Sequence, residues 1–182
     1  MKIAAILAEG FEETEFIAVA DLLRRAKADV SVVSSTRQLT VTGAHNFKIT
    51  ADMLLDNVSF DDTDCIFLPG GMPGVTNLRA NKKVVDAVRL FAEQGKFVSA
   101  ICAAPLVLDD AGVLGNKKFT CYPSTAKEIK SGIYCDEPAV IDGKIITGRA
   151  VGSALDLGLL MVSAFYGTEN AENLKKAIVY GI

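Results

Sequence analysis

The sequence predicts an α/β protein in which helices cover both faces of a mainly parallel β-sheet. Short apolar stretches alternate along the chain with amphipathic helical stretches, a pattern typical of parallel sheets that are buried on both faces. The chain has 182 residues, half of them hydrophobic, which is enough to build the core of one domain. We therefore expect a single domain over residues 1–182.

The first part of the chain predicts a strand, a helix, a second strand and a hairpin. Residues 2–8 form a short apolar run, as in a buried strand. Residues 13–28 carry apolar side chains at helical spacing, which predicts an amphipathic helix. Residues 30–34 are rich in valine and predict the second strand. Residues 39–50 are rich in threonine and alternate in character, which predicts a hairpin appended to the main sheet.

The middle of the chain repeats the alternation. Cys65–Leu68 is another apolar run that predicts a buried strand, closed by the prolines and glycines of residues 69–74. Lys82–Glu93 predicts a helix, and Phe97–Ile101 predicts the strand that precedes a sharp turn. Residues 103–110 then favour a helix.

The last part of the chain predicts a hairpin and two closing helices. The Asp-Gly pair at residues 142–143 is typical of a tight turn, and apolar residues flank it at 139–141 and 144–147. The closing helices are expected at residues 151–166 and 171–180.

Charge and hydropathy exclude several classes of partner. A net charge of −3 gives no reason to expect nucleic acid or an anionic membrane surface. The first apolar run is too short for a signal peptide and has no cleavage pattern. The longest apolar stretch, residues 154–166, contains an aspartate and is shorter than the ~20 residues of a membrane span. We expect a soluble, cytoplasmic protein.

The four cysteines do not have the spacing of a metal site. Cys65, Cys102, Cys121 and Cys135 form no CxxC pair, and His45 is the only histidine. A disulfide framework is not expected in a cytosolic chain of this size. Cys65 lies in an apolar run and is expected in the core, whereas the roles of Cys121 and Cys135 stay open. We expect no metal and no other cofactor.

Cys102 stands where a predicted strand stops and a helix begins. The unpaired N–H groups and the dipole of the following helix would favour a thiolate there. The same logic places the nucleophilic serine of α/β-hydrolases on a strained turn, so a nucleophile or a redox sensor is indicated. The alternative is a buried structural cysteine, because free cysteine also behaves as a small hydrophobe.

Two other loops should meet Cys102, because functional sites of such sheets lie at the carboxyl ends of the strands. Residues 69–74 supply the glycine pair Gly70 and Gly71, whose backbone N–H groups could face an anionic sulfur or oxygen. A plain strand-ending turn is the alternative interpretation of this loop.

The segment after the first strand is acidic. Glu12 and Glu13 are explained by the dipole at the start of the predicted helix. Glu15 lies one turn into that helix, next to its apolar face, where a carboxyl group could turn inward.

The chain resembles the DJ-1/ThiJ/PfpI superfamily, and within it the small single-domain DJ-1-like branch. The motifs that carry the resemblance are Glu-Glu-Thr-Glu at 12–15, Leu-Pro-Gly-Gly at 68–71, Ala-Ile-Cys-Ala-Ala-Pro at 100–105 and Thr-Gly-Arg-Ala-Val-Gly at 147–152. Their order and spacing agree, and the match runs from the first strand to about Tyr166. The resemblance implies a flavodoxin-like three-layer sandwich with a nucleophile elbow, usually as a homodimer.

The resemblance also implies roles for individual residues. Cys102 would be the reactive elbow cysteine, Glu15 the carboxyl hydrogen-bonded to its sulfur, and Gly71 the backbone donor beside it. A partner subunit would close one side of the pocket. Further pocket positions would be Gly70, Ala103 and Tyr122 of the same subunit. The partner subunit would contribute Arg25, His45 or the loop 149–152, which includes Arg149 and Val151.

Two positions depart from the family pattern. Many members carry histidine directly after the elbow cysteine, where this chain has Ala103. The DJ-1-like branch often has a facing histidine where this chain has Tyr122, which is a poor base at neutral pH but can donate a hydrogen bond. His45 falls where relatives often carry a basic residue near the dimer-facing site, or is simply an exposed residue on a hairpin. Without a Cys–His dyad, proteolysis is not expected.

The resemblance implies a role in oxidative and carbonyl stress defence, in one of two forms. Cys102 could attack small carbonyls such as methylglyoxal, with Glu15 as acid and base, as a glyoxalase or deglycase. Alternatively, oxidation of Cys102 by peroxide could make the protein a non-enzymatic redox sensor or chaperone. In both forms Glu15 must share its proton with the sulfur, because an ionised carboxylate would raise the thiol pKa.

The first helix predicts a dimer surface. Phe16, Ile17 and Val19 spread over more than the one face that a core-facing helix requires. Extra apolar surface often marks an interface, so we expect a homodimer formed by this helix and the hairpin around His45. The alternative is that Ile17 packs on a neighbouring loop of its own chain.

Overall fold

The computed structural model describes residues 1–181 and has a seven-stranded sheet at its centre. The strands are, in chain order, β1 (Lys2–Leu7), β2 (Asp29–Ser34), β3 (Thr40–Thr42), β4 (Lys48–Thr50), β5 (Met53–Leu54), β6 (Cys65–Leu68), β7 (Phe97–Ile101), β8 (Lys118–Phe119), β9 (Ile133–Tyr134), β10 (Ala139–Asp142) and β11 (Ile145–Gly148). The helices are α1 (Glu13–Arg25), α2 (Gly74–Ala80), α3 (Lys82–Glu93), α4 (Pro105–Asp110), α5 (Ala154–Tyr166) and α6 (Thr168–Ala177).

The strand order of the main sheet is β10-β11-β7-β6-β1-β2-β5. Every neighbouring pair is parallel except the hairpin of β10 and β11. Because β1, β6 and β7 are adjacent and parallel, the loops that follow them leave the sheet at one edge. The three predicted site segments begin at these strand ends.

Helices cover both faces of this sheet, as predicted. One buried cluster contains side chains of α2, α3 and α4, and the other contains side chains of α1, α5 and α6. The central strands bury residues on both faces, which explains why they are nearly continuous apolar runs. The predicted three-layer α/β sandwich is therefore confirmed.

Helix α1 buries one side and leaves Ile17 outside. Three residues suggested a wide apolar face, but Phe16 and Val19 pack in the core. Only Ile17, which is 48% exposed, adds apolar surface outside the core-facing side. The helix ends at Arg25 rather than at residue 28, because Lys27 adopts a left-handed φ of 67°.

Several elements differ from the sequence-based expectation. The hairpin of β3 and β4 forms its own two-stranded sheet instead of extending the main one. The last helix begins at Thr168 rather than at residue 171, directly after Gly167, whose φ of 90° ends α5. Residues 151–153 form a single 3₁₀ turn before α5.

Helix α2 and the short strands β5, β8 and β9 were not predicted. The sequence of α2 contains a glycine and two β-branched residues, which are poor helix formers. Val75 and Leu78 are fully buried, so tertiary packing outweighs the low helix propensity. The three strands are two residues long, which is too short to give an alternating pattern.

Cys65 lies in the core, as predicted, and all four cysteines are free thiols. Within residues 1–181, the helices lack the combination of length and apolar character that is needed to cross a membrane.

Candidate functional site

Cys102 lies on a sharp turn between β7 and α4. Its φ of 63° is in the left-handed region, which residues other than glycine rarely occupy. The backbone of Cys102 is held on both sides: its N–H donates to the Gly148 carbonyl at 3.0 Å, and its carbonyl accepts from the Tyr122 N–H at 2.8 Å. The elbow that the sequence predicts is therefore present.

The loop after β6 approaches Cys102 through two glycines. A Cβ atom on Gly70 would lie 2.6 Å from Cys102 Cβ and 2.6 Å from Glu15 Oε2. Gly71 has a φ of 91°, and a Cβ atom there would lie 2.4 Å from the Glu12 nitrogen. Both positions thus require glycine, because the backbone passes closer to its neighbours than any side chain would permit.

Glu15 turns inward from α1 and is only 1% exposed. Its Oε2 accepts a hydrogen bond from the Gly70 N–H at 2.8 Å, and its carboxyl group is also hydrogen-bonded to the Cys102 thiol. Burial raises the pKa of Glu15 to about 7, against the opposing effect of these two hydrogen bonds. A carboxyl group with this pKa exchanges its proton near neutral pH.

The surroundings of Cys102 favour the protonated thiol over the thiolate. Burial, followed by the charge of Glu15 and the hydrogen bond to Glu15, raises the pKa of the thiol to about 12. The N–H groups of Ala103 and Gly71 act in the opposite direction but do not outweigh burial. The helix-end argument from the sequence is insufficient here, because α4 has only six residues and the thiol is largely buried.

Cys102 and Glu15 therefore form one coupled acid–thiol pair. While Glu15 is ionised, its charge keeps the thiol protonated. When the remaining proton lies on Glu15, that repulsion disappears and the carboxyl can donate to the sulfur, which lowers the pKa of the thiol. The proton sharing expected from the sequence is the condition under which this site can be nucleophilic.

Backbone donors complete the site, and two of their pairings, Ala103 with the sulfur and Gly70 with Glu15, were not predicted from the sequence. Gly71 and Ala103 both donate toward the sulfur, whereas Gly70 donates to Glu15. The amide after an elbow nucleophile commonly faces the reacting group, so the role of Ala103 could have been found from the motif. The role of Gly70 depends on a contact between residues 55 positions apart and has no local signal.

Of the predicted pocket residues Tyr122 and Val151, the structure joins only Tyr122 directly to the elbow. Tyr122 is joined to Cys102 by the backbone hydrogen bond, and its side chain is about half exposed. Val151, also about half exposed, lies three residues beyond Gly148, whose carbonyl holds Cys102.

Arg25 and Arg149 form ion pairs of their own. Arg25 lies ten residues after Glu15 on α1, about 15 Å along the helix axis, and pairs with Asp21 at 2.6 Å. Within one subunit it is therefore outside the Cys102 site. Arg149 pairs with Asp136 at 2.8 Å. A contribution of either residue to the pocket of a second copy stays a prediction.

Glu13 lies in the first turn of α1, as the dipole interpretation requires, and has a second role in addition. Its buried carboxylate accepts from the His45 N–H at 2.7 Å, from His45 Nδ1 at 2.9 Å and from the Phe47 N–H at 3.3 Å. Burial acts to raise the pKa of Glu13, but these hydrogen bonds hold it below its ordinary value. The hydrogen bond to Glu13, helped by its charge, raises the pKa of His45.

Glu12, Glu13 and His45 also place three ligand-type atoms within 4.8 Å of one another. Such a group could hold a metal ion, but its carboxylates already have partners within the chain. Glu12 Oε2 accepts from the Glu15 N–H, and Glu13 accepts from the hairpin. The cluster is explained without an ion.

A model of the DJ-1/PfpI family matches residues 1–164, which include the elbow, both glycines and the acidic segment. The chain belongs to the DJ-1/PfpI family. This agrees with the resemblance in the sequence motifs, and the match ends two residues before Tyr166.

Individual members of the DJ-1/PfpI family resemble the chain over most of its length. It is 39% identical to Arabidopsis thaliana protein DJ-1 homolog A over 172 residues, which are 94% of this chain and 44% of that protein. The chain thus spans less than half of that relative. It is 33% identical to a deglycase of Pyrococcus horikoshii over 151 residues, covering 82% and 90% of the two chains. A DJ-1 superfamily structure from Salmonella typhimurium has a TM-score of 0.95 at 32% identity, covering 100% of this chain and 99% of that one.

Replacing Glu15 with glutamine is expected to stabilise this DJ-1/PfpI protein more at pH 8 than at pH 5. The pKa of Glu15 in the folded protein, about 7, lies above its ordinary value of 4.5. Between these two pH values the native state binds more protons than the unfolded state, so its stability falls as the pH rises from 4.5 through 7. This pKa difference lowers the free energy of unfolding by roughly 3 kcal/mol at pH 8. The Glu15→Gln variant, which has no carboxyl group to ionise, would not lose this stability. Urea unfolding at both pH values measures it, with exposed Glu93→Gln as the control. An equal effect of Glu15→Gln at both pH values would contradict the raised pKa.

Proposed function

We propose that this protein is a cofactor-free reactive-cysteine enzyme of carbonyl stress defence in the cytoplasm, with glyoxalase or deglycase-type activity on small carbonyls. The observation that carries the proposal is the buried Glu15 carboxyl, hydrogen-bonded to a thiol on a strained elbow. This pair offers a nucleophile and an acid–base group to the same small substrate. The similarity to a protein named as a deglycase supports the same reaction class.

The reaction begins from the form in which Glu15 holds the proton. The Cys102 sulfur attacks the aldehyde carbon of methylglyoxal, a C–S bond forms, and the carbonyl electron pair moves to oxygen. That oxygen takes the proton of Glu15, giving a neutral hemithioacetal and an ionised carboxylate. The backbone N–H groups of Gly71 and Ala103, which face the sulfur, stabilise the attacking thiolate.

Glu15 then acts as the base. Its carboxylate removes the proton from the carbon that carries sulfur, and the electron pair forms an enediol that is reprotonated at the neighbouring carbon. The product is a lactoyl thioester on Cys102. Attack by water breaks the C–S bond and releases lactate and the thiol, so the net reaction adds one water to methylglyoxal. A pKa of about 7 suits a group that must both give and take a proton at neutral pH.

Loss of either group is expected to abolish the conversion of methylglyoxal to lactate. Cys102→Ser removes the nucleophile, and Glu15→Gln should lower turnover by about 10²–10⁴-fold because the amide cannot exchange a proton. The measurement is lactate release, with Cys135→Ser as the control because Cys135 is the other cysteine that is not fully buried. Wild-type protein that forms no lactate, or Cys102→Ser that retains full turnover, would refute the enzymatic proposal.

A second candidate is a non-enzymatic redox sensor or chaperone that acts through oxidised Cys102. It is favoured by accessibility, because Cys102 is partly exposed whereas Cys65 and Cys121 are completely buried. A sulfinate at this position could accept hydrogen bonds from the Gly71 and Ala103 amides and from protonated Glu15.

Limiting peroxide is expected to oxidise Cys102 faster than the other three cysteines. Glu15→Gln should largely preserve the sulfinate because its amide remains a donor, whereas Glu15→Leu should lose it. Mass-spectrometric mapping of the four cysteines in wild type and in both variants measures the extent of oxidation at each. Preferential oxidation of Cys135, which is also partly exposed, would contradict this expectation and remove the basis for redox sensing at Cys102.

We also propose that the protein is a homodimer through a surface formed by α1 and the β3–β4 hairpin. A cleft of about 300 Å³ is lined by Glu13, Thr14, Ile17, Ala18 and Phe47. Ile17 and Phe47 are 48% and 66% exposed. Apolar surface exposed to water in this way often marks a protein–protein interface. The family resemblance implies a second copy as the occupant, which would bring the partner's pocket residues toward Cys102.

An aspartate at Ile17 is expected to convert the dimer into a monomer, because it would place a charge in the apolar centre of the interface. Light scattering at micromolar concentration measures the mass of wild type and Ile17→Asp. Leu90→Asp is the matched control, since Leu90 is similarly exposed but lies on α3. A monomeric wild-type protein would refute the assembly.

A further inference from the structure

The loop at residues 9–12 is held against the β3–β4 hairpin by two backbone hydrogen bonds. The Gly10 N–H donates to the Thr42 carbonyl at 2.8 Å, and the Ala44 N–H donates to the Phe11 carbonyl at 2.8 Å. The hairpin is not part of the main sheet, so these contacts are among those that fix its position.

The opposite side of the same loop supports the glycines of the Cys102 site. The Glu12 N–H donates to the Gly70 carbonyl at 2.9 Å, and the Gly74 N–H donates to the Gly10 carbonyl at 3.1 Å. At Gly71 the fit is so close that a Cβ atom would lie 2.4 Å from the Glu12 nitrogen. A displacement of the loop would therefore displace the amides that face Glu15 and the Cys102 sulfur.

Glu13 fastens the hairpin to this assembly. Its carboxylate accepts three hydrogen bonds from the turn, two from His45 and one from the Phe47 N–H. The fit excludes a side chain at Gly43, where a Cβ atom would lie 2.2 Å from Glu13 Oε1. A buried carboxylate with three donors is a strong restraint on the turn, because charged acceptors make the stronger hydrogen bonds.

We infer that Glu13, together with His45, is a positioning pair for the Cys102 site. Glu13 sets the hairpin on the 9–12 loop, and that loop sets the amides of Gly70 and Gly71. Within one subunit, the pair acts on the site through the backbone of the 9–12 loop. The inference rests on the proposed reactivity of Cys102 and does not depend on which carbonyl is the substrate.

The strength of this restraint depends on the charge of His45. The imidazole is 66% exposed, and the groups that face it are Glu13 at 2.9 Å and Glu12 at 4.0 Å, both from the start of α1. Their influence raises the pKa of His45 above its ordinary 6.5. The ion pair is therefore fully present below pH 6.5 and is lost as pH rises through the raised value. It weakens again only where Glu13 itself takes up a proton, below its lowered pKa.

The test is the rate of Cys102 alkylation by iodoacetamide between pH 6 and pH 9 in the full chain. Glu13→Gln is expected to react about two- to tenfold more slowly than wild type at pH 6, the effect of about one hydrogen bond. His45→Gln should be slowed similarly at pH 6 but should approach the wild-type rate as the pH rises through the raised pKa of His45 and the wild-type imidazole loses its charge. His45→Arg, with a permanent charge, should stay at or above the wild-type rate throughout.

Glu172→Gln is the matched control, because it removes a carboxylate ion pair of 2.7 Å on α6, and its rate should equal that of wild type. A Cys102 that reacts readily, at rates unaffected by Glu13→Gln and His45→Gln at every pH, would overturn the inference and leave the proposed function standing. A wild-type Cys102 that iodoacetamide does not modify would overturn both. His45 is exposed, so its variants report on the pair even if Glu13→Gln does not fold.

Discussion

The proposed chemistry of this protein depends on the burial of one carboxyl group against one thiol. Glu15 leaves water for a place between the Gly70 amide and Cys102, and burial raises its pKa to about 7. This arrangement opposes folding at alkaline pH, since an ionised carboxylate would be preferred in the unfolded chain. The result is a proton that is held beside the Cys102 thiol and exchanges near neutral pH.

The parallel sheet is what brings these groups together. Adjacent strands β1, β6 and β7 release the acidic segment, the glycine loop and the elbow at the same edge. The segments then pack so closely that Gly70 has no room for a Cβ atom between Cys102 and Glu15. Parts of the site thus lie far apart in the sequence but are fixed by the register of neighbouring strands.

Local pattern was enough to predict some features and not others. The bounds of β6, β7 and α3 follow from apolar periodicity and are as predicted, and the turn at Cys102 follows from a strand run that ends before a helix. Helix α2 could not be predicted, because its own residues disfavour a helix and only burial stabilises it. The hydrogen bond between Glu13 and His45 joins residues that are 32 positions apart. It could not be predicted, because the helix dipole already explains an acidic residue at a helix start and gives no indication of a distant partner.

The same limit applies to the electrostatics of the thiol. From the sequence, the end of a helix is an adequate reason for a thiolate, but α4 is short and dipole effects contribute only about 0.3–2 kcal/mol. Burial and the charge of Glu15 act against it and prevail in the folded chain. In the proposed function, nucleophilicity is therefore not a property of Cys102 alone. It belongs to the state in which Glu15 holds the shared proton, so any change that moves Gly70 or Gly71 alters both partners together.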